Sequence, residues 1–114
     1  MLVYKVLTLD EAAEFDQAGE APLSPADARD GYVHLSTRAQ LLGTMSRHFA
    51  GERAVRVLGA DPGRLGEALR WEPGRDGDLF PHLYGRLQAG HVVSGWLMGR
   101  GHDSGFRLPV EMPA

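Results

Sequence analysis

The sequence has no cysteine, a single lysine, and no long apolar run. Absence of cysteine excludes a disulfide scaffold, a thiol nucleophile, an iron–sulfur cluster and any cysteine-ligated zinc site, and it fits a reducing cytoplasm. No stretch approaches the roughly 18 apolar residues of a membrane span. Lys5 interrupts the apolar start, Met1–Leu7, well short of a signal-peptide hydrophobic region. A soluble, cytoplasmic protein with no membrane partner is expected. A dominant basic face is missing too. The net charge is −3; residues 1–31 carry seven acids (Asp10, Glu11, Glu14, Asp16, Glu20, Asp27, Asp30) against Lys5 and Arg29, and residues 38–72 carry six arginines against four acids. That distribution argues against duplex DNA as a partner. The five histidines show no His-x-His, His-x-x-x-His or His-Glu-x-x-His spacing, so no metal site is expected. Glycines between Gly99 and Gly105 open no helix after a strand and form no dinucleotide fingerprint.

What is present reads as one domain, residues 1–114, long enough to bury roughly two-thirds of its unfolded surface without staples. Three helix starts are legible. Thr8 and Glu11 form a capping box closed by Gly19; Ser24 caps a turn opened by Pro25 and closed by Gly31. Thr37 and Gln40 form a third box, behind which Leu41, Leu42, Met45 and Phe49 repeat at helical spacing up to a stop at Gly51. His48 falls on that stripe and is expected to be a partly buried packing residue. Strands fill the intervals: Leu2–Leu7, Tyr32–Leu35, Val55–Leu58, Leu69–Glu72, and Val92–Met98 as a nearly continuous buried strand. Phe106, Leu108 and Val110 alternate, with Pro109 assigning them to an edge. Between Glu72 and Leu83 the chain is turn-rich. The predicted class is α+β, with two to three helices and a split or mixed, largely antiparallel sheet.

Chemistry concentrates in two segments. Strand alternation puts Tyr32, His34 and Ser36 on one face of the first and His82 and Tyr84 on one face of the second. Each offers an imidazole and a hydroxyl about 7 Å apart along the strand. If the two faces meet, two histidines and several hydroxyls lie beside the helix N-terminus at Thr37, whose unpaired amides favour an anion. Glu72 is the carboxylate candidate: it follows Trp71 at a strand end, where partial burial is expected to raise its pKa for acid–base work. The competing reading pairs it with Arg70 at the surface. His34-Leu35-Ser36 also matches the His-x-Ser/Thr motif of two-histidine phosphoesterases, although the second copy, His82-Leu83-Tyr84, carries the wrong hydroxyl.

In order along the chain, the Asp30–Thr37 block with Gln40 behind it, Leu69-Arg70-Trp71-Glu72, and Phe80-Pro81-His82-Leu83-Tyr84-Gly85 resemble the small bacterial domain of unknown function 952 family. The resemblance covers nearly the whole chain. It implies an ADP-ribosyltransferase-like fold, two small sheets around a cleft, and in active relatives that cleft holds NAD. It also implies site positions: His34, Ser36 and Thr37 in the second-strand motif, Glu72 as the strand-end acid, and His82, Tyr84 and Gly85 in the third block. The family's first strand usually carries a histidine where this chain has Lys5, which supplies charge without a compact ring nitrogen.

The expected function is therefore binding of a nucleotide, NAD or another phosphorylated ligand, with ribosyl transfer or hydrolysis as the matching chemistry; the residues themselves fix no cofactor. In that scheme His34, Glu72 and His82 are the catalytic candidates, and Lys5, Ser36, Thr37, Tyr84 and Gly85 contact the ligand. Lys5 favours the alternative, a non-catalytic binding or interaction module, acting as a homodimer.

Overall fold

A computed structural model describes residues 1–114. Local sequence signals set the helices. In α1 (Leu9–Ala18) the Thr8 hydroxyl accepts from Glu11 N–H at 3.1 Å while the Glu11 carboxylate accepts from Thr8 N–H at 2.9 Å. In α2 (Pro25–Asp30) Ser24 and Asp27 repeat the exchange at 3.1 and 3.2 Å. Gly19 (φ 72°) and Gly31 (φ 83°) end these helices in the left-handed region, where a Cβ is penalised. α3 (Arg38–His48) begins where expected but stops at Phe49 rather than Gly51. Its Thr37 N–H donates to the Gln40 side chain at 3.0 Å. A fourth helix, α4 (Pro62–Leu65), goes beyond the two to three expected. Asp61 accepts from Gly63 N–H at 2.9 Å and Pro62 follows in the first turn, a short Asp-Pro start that the periodicity does not reveal.

The strands form two separate antiparallel sheets. The first runs β1 (Val3–Leu7), β3 (Ala54–Ala60), β6 (Val92–Gly99); the second runs β2 (Val33–His34), β5 (Leu79–Leu83), β4 (Leu69–Pro73). The class is α+β, and the sheet is split. A single bridge joins the halves: Tyr4 and Ser36 exchange both backbone N–H···O bonds at 2.8 Å. The turn-rich interval after Glu72 holds a central strand. β5 pairs on both sides, and Pro81 is tolerated there because β2 spans only two residues and its ladder asks for no N–H from Pro81.

Strand alternation divides the core. Val3, Leu7, Leu58 and Ala60 face α1 and the second sheet, with Phe15, Val33, Leu35 and Leu83. Tyr4, Val6, Val55, Val57 and Met98 face α3, meeting Leu41 and Met45. Because both faces of β1 are covered, all five of its residues are buried, including Lys5. Two sequence expectations are corrected. β6 is an edge strand with alternate residues exposed, Leu97 at 72 %, because α1 packs over β1 and β3 and stops short of β6. Residues 106–110 form no strand: Phe106 makes one bridge to Arg100, Phe106 and Leu108 pack on the core, and Val110 is exposed.

Candidate functional site

The link between the sheets opens a cleft of about 540 Å³, within the usual size of a small-molecule site. Lys5 from β1, the β2 segment (Tyr32, His34, Ser36) and β5 (Phe80, His82) supply its floor and wall. Thr8 and Glu11 of α1, Ser24 and Arg29 of α2, Thr44 and His48 of α3, and Arg75 form the rim. His34 and His82 are direct cross-strand partners, with ring centroids 5.8 Å apart. The two histidine segments share one cleft.

Asp27 organises the floor. It is 1 % exposed and accepts from Lys5 Nζ at 2.9 Å, His34 N–H at 3.0 Å, His34 Nδ1 at 2.7 Å and Ser24 N–H at 3.2 Å. Burial alone would raise its pKa; the His34 hydrogen bond and the Lys5 charge outweigh that and hold the carboxyl well below the usual range. His34 Nε2 meets Asp30 at 2.9 Å, so both of its ring nitrogens face carboxylates. Asp30 in turn takes a two-point contact from Arg29 at 2.9 and 3.2 Å, and that hydrogen bond lowers its pKa.

The other imidazole is held differently. His82 Nδ1 donates to Glu72 Oε1 at 2.8 Å, and Tyr84 O–H donates to the same oxygen at 2.8 Å. No hydrogen bond within the protein engages Nε2 of His82, a residue that is 5 % exposed and lines the cleft. Tyr32 stacks on the His82 ring at 3.9 Å between centroids. The hydrogen bonds from His82 and Tyr84 lower the Glu72 pKa, which corrects the expected rise. Arg70 forms no ion pair with Glu72; its guanidinium lies over the Tyr84 ring at 4.7 Å.

Among the sequence candidates, Lys5, His34, Ser36 and His82 line the cleft, and Ser36 shares a 2.8 Å hydroxyl–hydroxyl bond with Thr44. Glu72 and Tyr84 stand behind His82, while Thr37 and Gly85 lie outside the lining. The helix N-termini that line the cleft belong to α1, at Thr8, and α2, at Ser24 and Pro25, whereas Thr37 at the start of α3 is outside the lining, which corrects the expectation for that helix. His48 is corrected as well: it is exposed on the rim rather than packed. Desolvation there, followed by the Arg75 charge, lowers its pKa. Sequence reasoning counted Asp27 only among the acids of residues 1–31. The signal was available, because a lysine inside Val3–Leu7 cannot be buried without a carboxylate. Arg75 was missed as well; it has no carboxylate partner, lies over Phe80 at 5.0 Å and gives the rim uncompensated positive charge. No group of three or more acidic or imidazole side chains is arranged to hold a metal.

A family model described as protein of unknown function (DUF952) matches residues 6–95. The crystal structure of protein CC0527 from Caulobacter crescentus is similar at 32% identity, covering 94% of both chains with a TM-score of 0.87. A double mutant of that protein matches at 31% identity and 0.86 over the same shares, and its solution structure at 33% and 0.80 over 91% of this chain and 90% of that one. No curated protein matches.

Proposed function

The chain belongs to the DUF952 family, and on that premise we propose that the cleft binds a small phosphorylated or nucleotide ligand. One observation carries the reading: Lys5, His34, Ser36 and His82, distant in sequence, line one cleft whose rim holds the unpaired Arg75. A phosphate suits the rim, where Glu11 is the sole acid among the lining residues and is engaged by Thr8 N–H. Phe80, Tyr32 and His82 offer ring faces for a planar base. Two small sheets around a cleft also match what an ADP-ribosyltransferase-like fold would provide. NAD or a related nucleotide is then the ligand class, and ribosyl transfer or hydrolysis the reaction class. Lys5 has a fixed role in this reading: committed to Asp27, it sets the floor's charge rather than gripping the ligand alone.

Thermal-shift titration with NAD, ADP-ribose, 2′-phosphorylated nucleotides and inorganic phosphate tests this. A ligand at 100 times its Kd adds about 2.7 kcal/mol, a rise of roughly 10 °C for a domain of this size. A screen silent for all four ligands refutes the reading. It would favour the second, an interaction module that pairs with another copy of itself. The observation behind that alternative is the unprotected β6 edge, eight residues without charge or proline and with Val93 and Leu97 exposed. Light scattering on the protein alone reads the oligomeric state.

A further inference from the structure

We propose that His82 is the cleft's base, that Glu72 is its positioning residue, and that the site holds no acid, so the substrate's leaving group departs without a proton. This rests on the nucleotide reading above and narrows it to one class of scissile bond.

The Glu72 carboxylate fixes the proton on Nδ1, which leaves Nε2 as an acceptor on a ring that lines the cleft. Stacking on Tyr32 and near-complete burial hold the ring in place. A water molecule attacking a bound ligand can therefore lose its proton to Nε2. No lining group supplies the complementary proton. His34, the partner that a two-histidine mechanism requires, has carboxylates on both nitrogens. Lys5 Nζ is held by Asp27, the Glu11 carboxylate is an acceptor for Thr8 N–H, and the Thr8, Ser24, Ser36 and Thr44 hydroxyls are alcohols, too weakly acidic to protonate a leaving group. His48 has its pKa lowered by desolvation and then by the Arg75 charge, which disfavours the imidazolium that an acid would need. Tyr32 has its phenol pushed upward by burial and by Asp30, and is a poor acid. Arg29 and Arg75 present guanidinium groups, which donate hydrogen bonds rather than protons.

The balance then fixes the chemistry. The water oxygen forms the new bond, its proton passes to Nε2 and on to solvent, and the electron pair of the broken bond stays on the departing group. A neutral pyridine released from a pyridinium riboside satisfies this, and so does a phosphate released from a phosphoric anhydride. Both share a leaving group that is stable without protonation. Adenine leaving a riboside, or an alkoxide leaving a phosphomonoester, does not.

NAD is the probe because it contains both bonds; AMP contains only the excluded kinds. The wild-type protein is expected to release nicotinamide, or AMP plus nicotinamide mononucleotide, and chromatography distinguishes the two. AMP should remain intact. His82→Asn keeps a donor near the Nδ1 position and removes Nε2; it should lower kcat by about 10²–10⁴ while the thermal shift with ADP-ribose persists. Glu72→Gln should lower kcat by about 10–100-fold with KM within twofold, a split that loss of folding would not produce. Hydrolysis of AMP, an unchanged kcat in His82→Asn, or binding of ADP-ribose without any turnover of NAD overturns the inference and leaves the binding proposal standing. Absence of any shift with ADP-ribose, NAD, 2′-phosphorylated nucleotides and phosphate removes the binding proposal instead. Should His82→Asn fail to fold, Glu72→Gln still decides, because its side chain is about a third exposed.

Discussion

Asp27→Asn is the most discriminating perturbation of this fold. The substitution conserves shape but removes the charge that holds Lys5, whose side chain is 6 % exposed against 0 % for Asp27. It also replaces one acceptor oxygen with a donor, so at least one of the four donors now meeting Asp27 must lose its partner. Breaking a buried pair by removing one member costs about 3–5 kcal/mol, because the remaining charge is buried without compensation. Against a total stability on the order of 5–15 kcal/mol, Asp27→Asn should melt roughly 12–20 °C lower. Asp30→Asn is the control. Its side chain is 29% exposed and its Arg29 pair is at the surface, where such pairs contribute about 1 kcal/mol or less. Adding Lys5→Met to Asp27→Asn should restore part of the loss, since it removes the stranded ammonium. Chemical and thermal denaturation of wild type, Asp27→Asn, Lys5→Met and the double variant form a double-mutant cycle, with Asp30→Asn as the fifth protein and control. If Asp27→Asn melts within about 4 °C of wild type, the reasoning about the floor is wrong.

The same carboxylate sets an acid dependence. Its folded pKa lies below its unfolded value, so its contribution is complete above about pH 4 and declines as pH falls further toward the folded value. Wild type should lose stability across that acid range in urea titrations, and Asp27→Asn should show a shallower decline. Gly74→Ala should destabilise the cleft wall, because a Cβ there would lie 2.6 Å from the Phe80 ring; a melting temperature unchanged to within 1 °C would contradict that close approach. Met45→Ala, at a fully buried position between α3 and the first sheet, should cost about 2–5 kcal/mol by equilibrium unfolding. Leu97→Lys on the exposed β6 edge should stay within about 0.5 kcal/mol, unless the protein associates through that edge.

How far the sequence reached can be traced residue by residue. Thr8, Ser24, Gly19 and Gly31 announced their helix ends because capping is settled within four or five residues, using only local hydrogen bonds and local φ. Five of the six strands were legible for a similar reason, through apolar runs and alternation, while β5 lay within an interval that reads as turn-rich. Burial was less legible. Val92–Met98 looks like a buried strand, yet whether a helix covers it depends on where α1 lands, which the strand itself does not encode. His48 failed in the same way: it follows Met45 at helical spacing, but the cleft, not the core, lies beneath the end of α3.

By itself the sequence determined the composition of the chemistry. Without cysteine, any site must run on imidazole, carboxylate, hydroxyl and guanidinium, and the His34 and His82 blocks were legible as its candidates. Only the tertiary structure decided which member of each kind is free to act. His34 and His82 look equivalent in sequence, but two carboxylates capture one ring while Glu72 fixes the other with Nε2 open. Asp27, one of seven acids in residues 1–31 of the sequence, became the counter-ion of a lysine 22 residues away, and Lys5 part of a cleft floor. Pairings of this kind are made by sheet register and by the one bridge from Tyr4 to Ser36. They are properties of long-range contacts, which no local pattern of residues contains.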